Sequence, residues 1–290
     1  MFKSLAIISV VTTAAFAQSV VPSGISDACS TFFTGLNADT SLTTCLSSLT
    51  NATSDYQPGS AATTSPSTAK IGSTLGNLCS ATVTNNCPDS LIRGKLTDFY
   101  AACPAELTSS PNADVIKIYD ILYTISPLKT AACSKDDSGN YCVTQAKLPA
   151  SGPTAAQIQQ VLATGTSPNI GTFSDNNIPF FFLSSSSSSA DLCNVCTRNV
   201  MTAYMNFEAK VPYAPGLGQS GLLANQPGLY TGIQNTCGST FLSGAGVQAA
   251  GGLSGGALGS SKSGAVQIDA SQSFIVAGLG IVAFIASSAL

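Results

Sequence analysis

Cysteines are the residues of this chain whose number and spacing point most directly to chemistry. Ten occur in 290 residues, and Cys193 and Cys196 stand at the spacing of a redox dithiol. Redox dithiols of this kind belong to a βαβ context, whereas this pair opens a stretch of helical periodicity. We therefore interpret both residues as structural half-cystines. Zinc is also disfavoured, because oxidised cysteines supply no thiolates.

The even number of cysteines predicts five disulfides and an oxidising compartment. Seven cysteines lie up to Cys142 and three lie from Cys193 onward, so full pairing requires at least one bridge across the stretch between them. This bridge would make one covalently tied domain. A local bridge from Cys133 to Cys142 is also expected, because the residues between them favour a tight turn. The full set of expected half-cystines is Cys29, Cys45, Cys79, Cys87, Cys103, Cys133, Cys142, Cys193, Cys196 and Cys237.

The chain contains no histidine, which excludes the common histidine-dependent sites. Ser-His-Asp and Cys-His nucleophiles need an imidazole base, and HExxH zinc sites need imidazole ligands. Residues 252–256 fit the G-x-S-x-G elbow without any base, and Asp-Ser-Gly at 137–139 lacks the second copy that aspartic proteases use. Two S-x-x-K matches, at 67–70 and 126–129, have no partner motif. We expect no catalytic residue, cofactor or metal.

Composition bears on the partners. Charged residues make up 9% of the chain and the formal net charge is −3, so the basic stripe of a nucleic-acid-binding protein is missing.

Residues 178–183, Ile-Pro-Phe-Phe-Phe-Leu, form the densest apolar run of the central region. Core packing is the first interpretation of this run, and a pocket for a small apolar ligand is the alternative.

Three segments show apolar residues at helical spacing. They are residues 91–103 behind the cap candidate Asp89, residues 115–123 behind Asn112, and residues 196–211, which Pro212 closes. Weaker periodicity predicts helices at 41–49, 155–163 and 228–241. No run alternates between polar and apolar residues strongly enough to compete. The predicted fold is therefore an all-α domain stapled by disulfides.

Serine and threonine are concentrated in stretches that we expect to be loops. Residues 51–68 and the six serines at 184–189 are of this kind, and residues 244–263, rich in Gly, Ser and Ala, predict a flexible stalk. Hydroxyl-rich stretches are candidate O-glycan carriers in a secreted chain. Asn51 begins the standard N-glycan acceptor Asn-Ala-Thr.

The N-terminus has the pattern of a secretory signal peptide. Lys3 supplies the positive charge, an apolar core follows, and Ala15-Phe16-Ala17 has the form that signal peptidase cleaves. The predicted signal peptide covers residues 1–17. The predicted ectodomain then covers residues 18–243.

The C-terminus has the pattern of a GPI-attachment signal. The uncharged tail 274–290 ends without a lysine or arginine and is too short for an ordinary membrane span. It follows a polar spacer and the small residues 263–265. We therefore expect cleavage and lipid attachment at Ser263, with Gly259 as the alternative, and a propeptide over residues 264–290.

Several segments together resemble a known but uncharacterised family. They are residues 96–103, residues 118–123 leading to Cys133 and Cys142, the Cys193 to Cys196 pair with residues 204–212, and Cys237-Gly238. On these residues the chain resembles secreted, cysteine-rich, GPI-anchored fungal surface proteins that share a domain of unknown function. The resemblance implies an extracellular location at the cell surface, and it implies no activity.

These observations lead to three functional hypotheses. The first is a non-enzymatic, GPI-anchored fungal protein of the cell surface or cell wall, held to the membrane by its lipid and with cell-wall glycans as candidate partners. The second is an extracellular binder of a small apolar molecule, such as a sterol or fatty acid, between the helices. The third is a glycoside hydrolase with paired carboxylates, against which the absence of tryptophan counts.

Overall fold

The computed structural model describes residues 21–56, 67–147 and 175–243. Within these ranges the regular structure is helical, with one isolated bridge between Lys135 and Tyr141 and no strand, so the predicted all-α fold is confirmed. The expected signal peptide, the helix at 155–163, the stalk, the G-x-S-x-G match and the GPI segment with Ser263 lie outside the described residues.

Nine α-helices are numbered here along the described residues. They are α1 Asp27–Asn37, α2 Thr40–Ala52, α3 Thr68–Leu78, α4 Ala81–Asn86, α5 Asp89–Ala102, α6 Ala113–Ala132, α7 Ser189–Leu192, α8 Val195–Glu208 and α9 Gln226–Cys237. Short 3-10 turns cover Ser54–Tyr56, Cys142–Gln145, Ile178–Phe180 and Leu217–Gln219, and a π-helical turn covers Ala105–Ser109. No helix in this part of the chain is both long and apolar enough to cross a membrane.

The helices α5, α6 and α8 confirm the three strongest predictions, with corrections at their ends. Asn112 caps α6 as predicted, since its side chain accepts hydrogen bonds from the backbone of the first turn. Asp89 does not cap α5, because it is already the first helical residue and Pro88 precedes it. The predicted helix 196–211 ends at Glu208, and the predicted helix 228–241 ends at Cys237. Gly238 follows with a φ of 91°, which favours glycine and stops α9.

Four helices, α1, α3, α4 and α7, have no counterpart in the sequence predictions. Each begins after a serine whose hydroxyl accepts a hydrogen bond from the backbone three residues later: Ser26, Ser67, Ser80 and Ser188. The helix α3 begins inside the stretch 51–68 that was expected to be a loop, and α2 continues to Ala52. Serine-rich sequence therefore supplies helix caps in this protein as well as loops.

The centre of the fold is α6, which packs against α5 on one side and α8 on the other. Every residue of α6 from Ile118 to Leu128 is buried, so the helix has no solvent face over three turns. Pro127 lies inside this helix and has no N–H to donate to the preceding turn. A helix that is buried on all sides is surrounded by the rest of the core.

Aromatic rings connect α6 to its neighbours. Tyr119 packs edge-to-face on Phe99 of α5, with ring centres 5.3 Å apart, and on Tyr213 at 5.4 Å. Tyr123 packs on Tyr213 and on Phe207 of α8, both at 5.0 Å. Edge-to-face pairs of this kind add about 0.5–1.5 kcal/mol each beyond the area they bury. The ring cluster therefore joins the first and last parts of the chain around α6.

All ten cysteines form disulfides, as the sequence predicts. The pairs are Cys29–Cys103, Cys45–Cys87, Cys79–Cys133, Cys142–Cys196 and Cys193–Cys237. The Cys142–Cys196 bridge spans the cysteine-free stretch and confirms the predicted crossing. Cys193 and Cys196 have different partners, which confirms that they are half-cystines and not a dithiol.

The expected local bridge between Cys133 and Cys142 is wrong. The intervening residues do form a turn, in which Lys135 pairs with Tyr141 and the Asp136 carboxylate accepts backbone hydrogen bonds from Ser138 and Asn140 at 2.9 and 2.8 Å. The two cysteines nevertheless face different elements. Cys133 ends α6 beside Cys79 at the end of α3, whereas Cys142 begins a 3-10 turn and is bonded to Cys196 in the first turn of α8.

Candidate functional site

A cleft with both apolar and polar lining residues lies between α6 and α8. It has a volume of about 330 Å³, and Asp89 at the start of α5 also lines it. Polar side chains of α8 line it at spacings of three and four residues, so they share one helical face: Asn199, Thr202 and Asn206. Thr130 of α6 and Ser134, two residues after α6 ends, also line the cleft.

The floor of the cleft is apolar. Pro127 of α6 and Ala203 and Phe207 of α8 contribute to it, and all three belong to buried positions of their helices. Phe207 is held by its edge-to-face contact with Tyr123, so its ring has little freedom to move. Because these three side chains are buried, they present little surface to the cleft.

Some polar side chains in the walls of the cleft are hydrogen-bonded within the protein, and others are not. The Asn199 side chain donates a 2.9 Å hydrogen bond to the carbonyl oxygen of Lys135, and the Thr130 hydroxyl donates to Ser126 of its own helix at 3.0 Å. Thr202 and Asn206 make no side-chain hydrogen bond to the part of the chain that the structure describes. These two side chains are free to bind a ligand without giving up an interaction of the fold.

The two charged residues that line the cleft, Asp89 and Lys210, have opposite signs. The Asp89 carboxylate lies 3.9 Å from the Lys210 ammonium and 3.8 Å from Nε of Arg93. All three side chains are more than a third exposed, so these ion pairs add little to stability. Their charges partly cancel, which leaves a mixed and not a strongly charged rim.

A second opening runs along α9 beside the serine-rich loop. It is a shallow surface depression of about 560 Å³, lined by small and polar residues that include Ser185, Gly228 and Gly232. A Cβ atom on Gly232 would lie 2.7 Å from Cα of Ser185, so glycine is required for this close approach. The loop is ordered by its own hydroxyls, since Ser187 accepts from the backbone of Ser184 and Ser188 caps α7. The serine run 184–189 is thus a loop up to Ser188, as predicted, and only its last residue belongs to α7.

Asp120 is a buried carboxylate with a complete set of partners. It is 1% exposed and accepts hydrogen bonds from the Tyr213 hydroxyl, from Ser220 Oγ at 2.6 Å and from the Gly221 backbone at 2.6 Å. Burial raises the pKa of Asp120 to about 6, although the hydrogen bonds act in the opposite direction. Asp120 thus fastens the segment that follows α8 to the middle of α6.

Glu208 is the second buried carboxylate. It is 5% exposed at the end of α8 and accepts a 2.9 Å hydrogen bond from the side-chain amide of Gln226, the first residue of α9. Burial raises the pKa of Glu208 to about 7. Neither carboxylate is open to a substrate from solvent. Both act as links between helices, and neither lies in the cleft.

The weak catalytic motifs lie in ordinary structural positions. Asp137 is exposed in the turn before Cys142, Ser67 caps α3, and Ser126 is buried inside α6. Cys29, Cys103 and Glu106 have potential metal-ligand atoms within 4.8 Å of one another, but the two sulfurs are bonded to each other. A disulfide supplies no thiolate ligand.

The apolar run at residues 178–183 packs in the core, as its first interpretation predicts. Phe180, Phe181 and Phe182 are between 0% and 4% exposed. The ring of Phe180 lies 4.8 Å from that of Tyr204, whose hydroxyl donates to the carbonyl oxygen of Pro179 at 2.8 Å. The run is therefore part of the core, and Phe180 contacts α8.

The glycan acceptor lies at the end of α2. The side chain of Asn51 is exposed, whereas Thr53 is fully buried and its hydroxyl donates to the carbonyl oxygen of Leu49 at 2.9 Å. The Asn-Ala-Thr backbone is helical through Ala52. The folded protein can thus display a glycan at Asn51 but does not expose the complete acceptor sequence.

Sequence reasoning missed the two buried carboxylates and the cleft. Asp120 had a usable signal, because a carboxylate within the apolar run Ile118-Tyr119-Asp120-Ile121-Leu122 must find buried partners. The sequence gives no signal that Glu208 is buried, since this residue stands near lysine and alanine at a predicted helix end. The cleft depends on the pairing of α6 with α8, which no local pattern specifies.

Comparison with known proteins gives a family and no activity. No curated protein and no solved structure matches the chain. One family model matches residues 12–245, which is well over half of the 290 residues and includes every described helix. The chain therefore belongs to the family described as a domain of unknown function, DUF7729.

Proposed function

We propose that this chain is a non-enzymatic, GPI-anchored protein of the fungal cell surface or cell wall. The observation that carries the proposal is the pairing of all ten cysteines in five disulfides. Complete pairing is compatible with an extracellular protein, because disulfides persist outside the reducing cytosol. The uncharged segment 274–290, downstream of Ser263, supports attachment through a lipid.

The disulfides also provide the stability that a cell-surface domain needs. A domain at the cell surface is exposed to proteases and to changing pH, and each bridge adds about 2–4 kcal/mol by restricting the unfolded chain. Each of the nine described helices contains a bridged cysteine or has one as its C-cap, so the constraint reaches the whole described domain. These constraints therefore raise the free energy of unfolding of the domain.

The buried positions of Asp120 and Glu208 support a non-enzymatic role. A glycoside hydrolase needs two carboxyl groups that reach the same glycosidic bond. Here the two carboxylates with the most strongly raised pKa values are each at most 5% exposed and are bound to neighbouring helices or loops. The apolar residues 178–183, which suggested a ligand pocket, are packed in the core, where Phe180 contacts Tyr204 of α8.

Release by a phosphatidylinositol-specific phospholipase tests the anchor. The full-length chain should be released from intact cells by the enzyme, and an epitope added after Leu290 should be absent from the released protein. A matched variant that ends at residue 273 should appear directly in the medium, because it lacks the apolar tail. Retention on treated cells together with a surviving C-terminal epitope contradicts the anchor.

A further inference from the structure

We propose that Glu208 and Gln226 form a proton-dependent latch that holds residues 209–225 closed over α6. These residues, called the strap here, connect the end of α8 to the start of α9. The latch is closed when the Glu208 carboxyl group carries a proton, and it opens when the group is ionised. This inference goes beyond the proposed function and does not depend on the lipid anchor.

The strap covers tyrosine rings in the middle of α6. Tyr213 of the strap is 8% exposed, and its ring packs edge-to-face on those of Tyr119 and Tyr123, with ring centres 5.4 and 5.0 Å apart. Leu217 and Leu223 of the strap belong to the same buried core. Movement of the strap away from α6 would therefore expose the two α6 rings to solvent.

The strap can move without breaking a disulfide. The sequence has no cysteine between Cys196 and Cys237, and the one helical turn of the strap is Leu217–Gln219. Gly216 precedes this turn with a φ of 83°, a conformation that favours glycine. Local opening generally costs less free energy in irregular segments than in packed helices. The strap is thus able to open while the helices stay folded.

Hydrogen bonds attach the strap to its neighbours in its middle and at its end. In the middle, Ser220 Oγ and the Gly221 N–H each donate to the Asp120 carboxylate at 2.6 Å. At the end, Gln226 Nε2 donates to Glu208 Oε2 at 2.9 Å. Both attachments therefore depend on a buried carboxylate. Of the two, only Glu208 keeps a buried oxygen that has no partner among the described residues.

The attachment at the end of the strap is incomplete when Glu208 is ionised. Glu208 Oε1 and Gln226 Oε1 are both buried, and neither has a hydrogen-bond partner in the described part of the chain. Two acceptor oxygens cannot satisfy each other. A proton turns the Glu208 carboxyl group into a donor as well as an acceptor. A carboxylic acid and a primary amide can then pair through two hydrogen bonds, one in each direction.

No positive charge compensates an ionised Glu208. None of the ion pairs among the described residues includes this carboxylate. The titratable groups that face it are the phenols of Tyr123 on α6 and Tyr204 on α8, and α9 contributes the neutral amide of Gln226. An ionised Glu208 therefore depends on a single neutral donor inside the protein, which makes its ionisation costly.

The direction of the pH response follows from this burial. Burial raises the pKa of Glu208 from 4.5 to about 7 in the closed state. Opening returns the carboxyl group to water, so the closed strap binds this proton more tightly than the open strap does. The closed form is therefore favoured in acid, and it is progressively less favoured as the pH rises from about 4.5 to about 7.

Hydrogen exchange measured at two pH values tests the latch. The full-length chain, produced in a eukaryotic host, is followed by mass spectrometry, and each rate is corrected for the intrinsic pH dependence of exchange. Peptides that contain the bonded amides of Leu222, Leu223 and Gln226 should lose protection by at least about tenfold between about pH 5 and about pH 8. Peptides from the middle of α6 should lose much less. An equal loss in the strap and in α6, or no loss in the strap, overturns the inference.

Two variants assign the effect. Glu208→Gln removes the titrating group but keeps the pairing, because two primary amides can also exchange two hydrogen bonds. Its loss of strap protection should be at least about fivefold smaller than that of the parent. Asp98→Asn removes a carboxylate from the exposed face of α5, so it is the matched control and should behave like the parent. Equal pH dependence in the parent and in Glu208→Gln overturns the assignment to Glu208.

Infrared difference spectroscopy detects the proton itself. A glutamate in water is almost fully ionised at about pH 6, whereas the latch requires Glu208 to be largely protonated there. The spectrum of the parent minus that of Glu208→Gln should therefore contain the C=O stretching band of a protonated carboxyl group at this pH. The band should disappear at about pH 9, where the buried group is ionised. Carboxylate bands in place of it at about pH 6 overturn the inference.

Discussion

The side-chain amide of Gln226 donates a 2.9 Å hydrogen bond to a carboxylate oxygen of Glu208, and this bond joins the end of α8 to the start of α9. The Glu208 carboxylate is 5% exposed, and its second oxygen has no hydrogen-bond partner in the described part of the chain. A buried carboxylate with one partner is costly to ionise. Folding therefore makes the stability of the domain sensitive to pH.

The domain should be more stable in mild acid than at alkaline pH. Burial raises the pKa of Asp120 from 3.8 to about 6 and the pKa of Glu208 from 4.5 to about 7. The folded state thus binds more protons than the unfolded chain between about pH 4 and about pH 7, so the free energy of unfolding falls as pH rises through that window. Calorimetry should give a melting temperature several degrees higher at about pH 5 than at about pH 8.

Glu208→Gln is the matched variant for this pH effect. The glutamine keeps an oxygen that can accept from Gln226 but does not ionise, so the decline in stability toward alkaline pH should be smaller by about 1–3 kcal/mol. Below about pH 4 the opposite trend begins, because Lys95 holds the pKa of Asp39 below its usual value at a distance of 2.6 Å. An unchanged pH profile in Glu208→Gln contradicts the assignment.

Tyr213→Phe should destabilise the domain, and the loss should depend on pH. The change removes one of the hydrogen bonds that compensate the buried Asp120 carboxylate. We expect a loss of about 1–3 kcal/mol in urea unfolding at about pH 8, where Asp120 is ionised, and a smaller loss at about pH 5. Tyr100→Phe is the control, since Tyr100 is 46% exposed and should tolerate the change at both values. Equal losses at the two pH values count against the role of Tyr213.

Gly232→Ala should destabilise the protein, whereas Gly228→Ala should not. An added Cβ at Gly232 meets the backbone of Ser185 at 2.7 Å, and nothing lies within 4 Å of one at Gly228. Both residues are in α9, where alanine favours the helix by up to about 1 kcal/mol. We expect a net loss of about 1–2 kcal/mol for Gly232→Ala in chemical unfolding and no loss for Gly228→Ala. Similar stability of both variants contradicts the close packing of the serine loop.

Glycosylation at Asn51 should precede folding. The hydroxyl of Thr53 is buried and bonded to Leu49, so an enzyme that reads the whole Asn-Ala-Thr sequence cannot reach it in the folded domain. Secreted protein should lose the mass of one glycan after treatment with an amidase specific for N-glycans. Folded protein made without the glycan should stay unmodified when incubated with the transferase, whereas the reduced and unfolded chain should accept it. Modification of the folded protein contradicts this order.

Asn51→Gln and Thr53→Ala separate the glycan from the fold. Both remove the acceptor sequence, but only Thr53→Ala also removes a buried hydroxyl and its hydrogen bond. Thr53→Ala should therefore be less stable than Asn51→Gln by about 1 kcal/mol. Equal stability shows that the Thr53 hydroxyl adds nothing to the end of α2.

Much of the helical fold could be predicted where helices have one apolar face. The helix α8 is an example, because its buried Val200, Tyr204 and Phe207 recur at helical spacing. The helix α6 was predicted only at 115–123, because its later residues are buried on all sides and show no stripe, and because proline usually ends a helix. Cys29, Phe33 and Leu36 of α1 do form such a stripe, which the polar composition around them concealed.

The candidate site could be predicted only in part. Asn199, Thr202 and Asn206 share a polar face that the sequence assigns to solvent. The face becomes one wall of a cleft only because α6 packs beside α8, and this pairing is set by tertiary contacts and by the disulfides at both helix ends. The disulfide pairing could not be predicted from the sequence either, since turn residues bring Cys133 and Cys142 near each other without deciding their partners.

The disulfides also divide the chain into two separate covalent circuits. The six cysteines up to Cys133 pair among themselves, and the four from Cys142 onward do the same. A chain that enters an oxidising lumen N-terminus first can therefore close its first three bridges before Cys142 arrives, without waiting for a distant partner. As a result, the backbone between Cys133 and Cys142 is the single covalent connection between the two circuits. One cut by a protease between Cys133 and Cys142 would leave the two circuits without a covalent connection, joined only by noncovalent contacts such as the packing of α6 on α8 and the hydrogen bonds of Asp120.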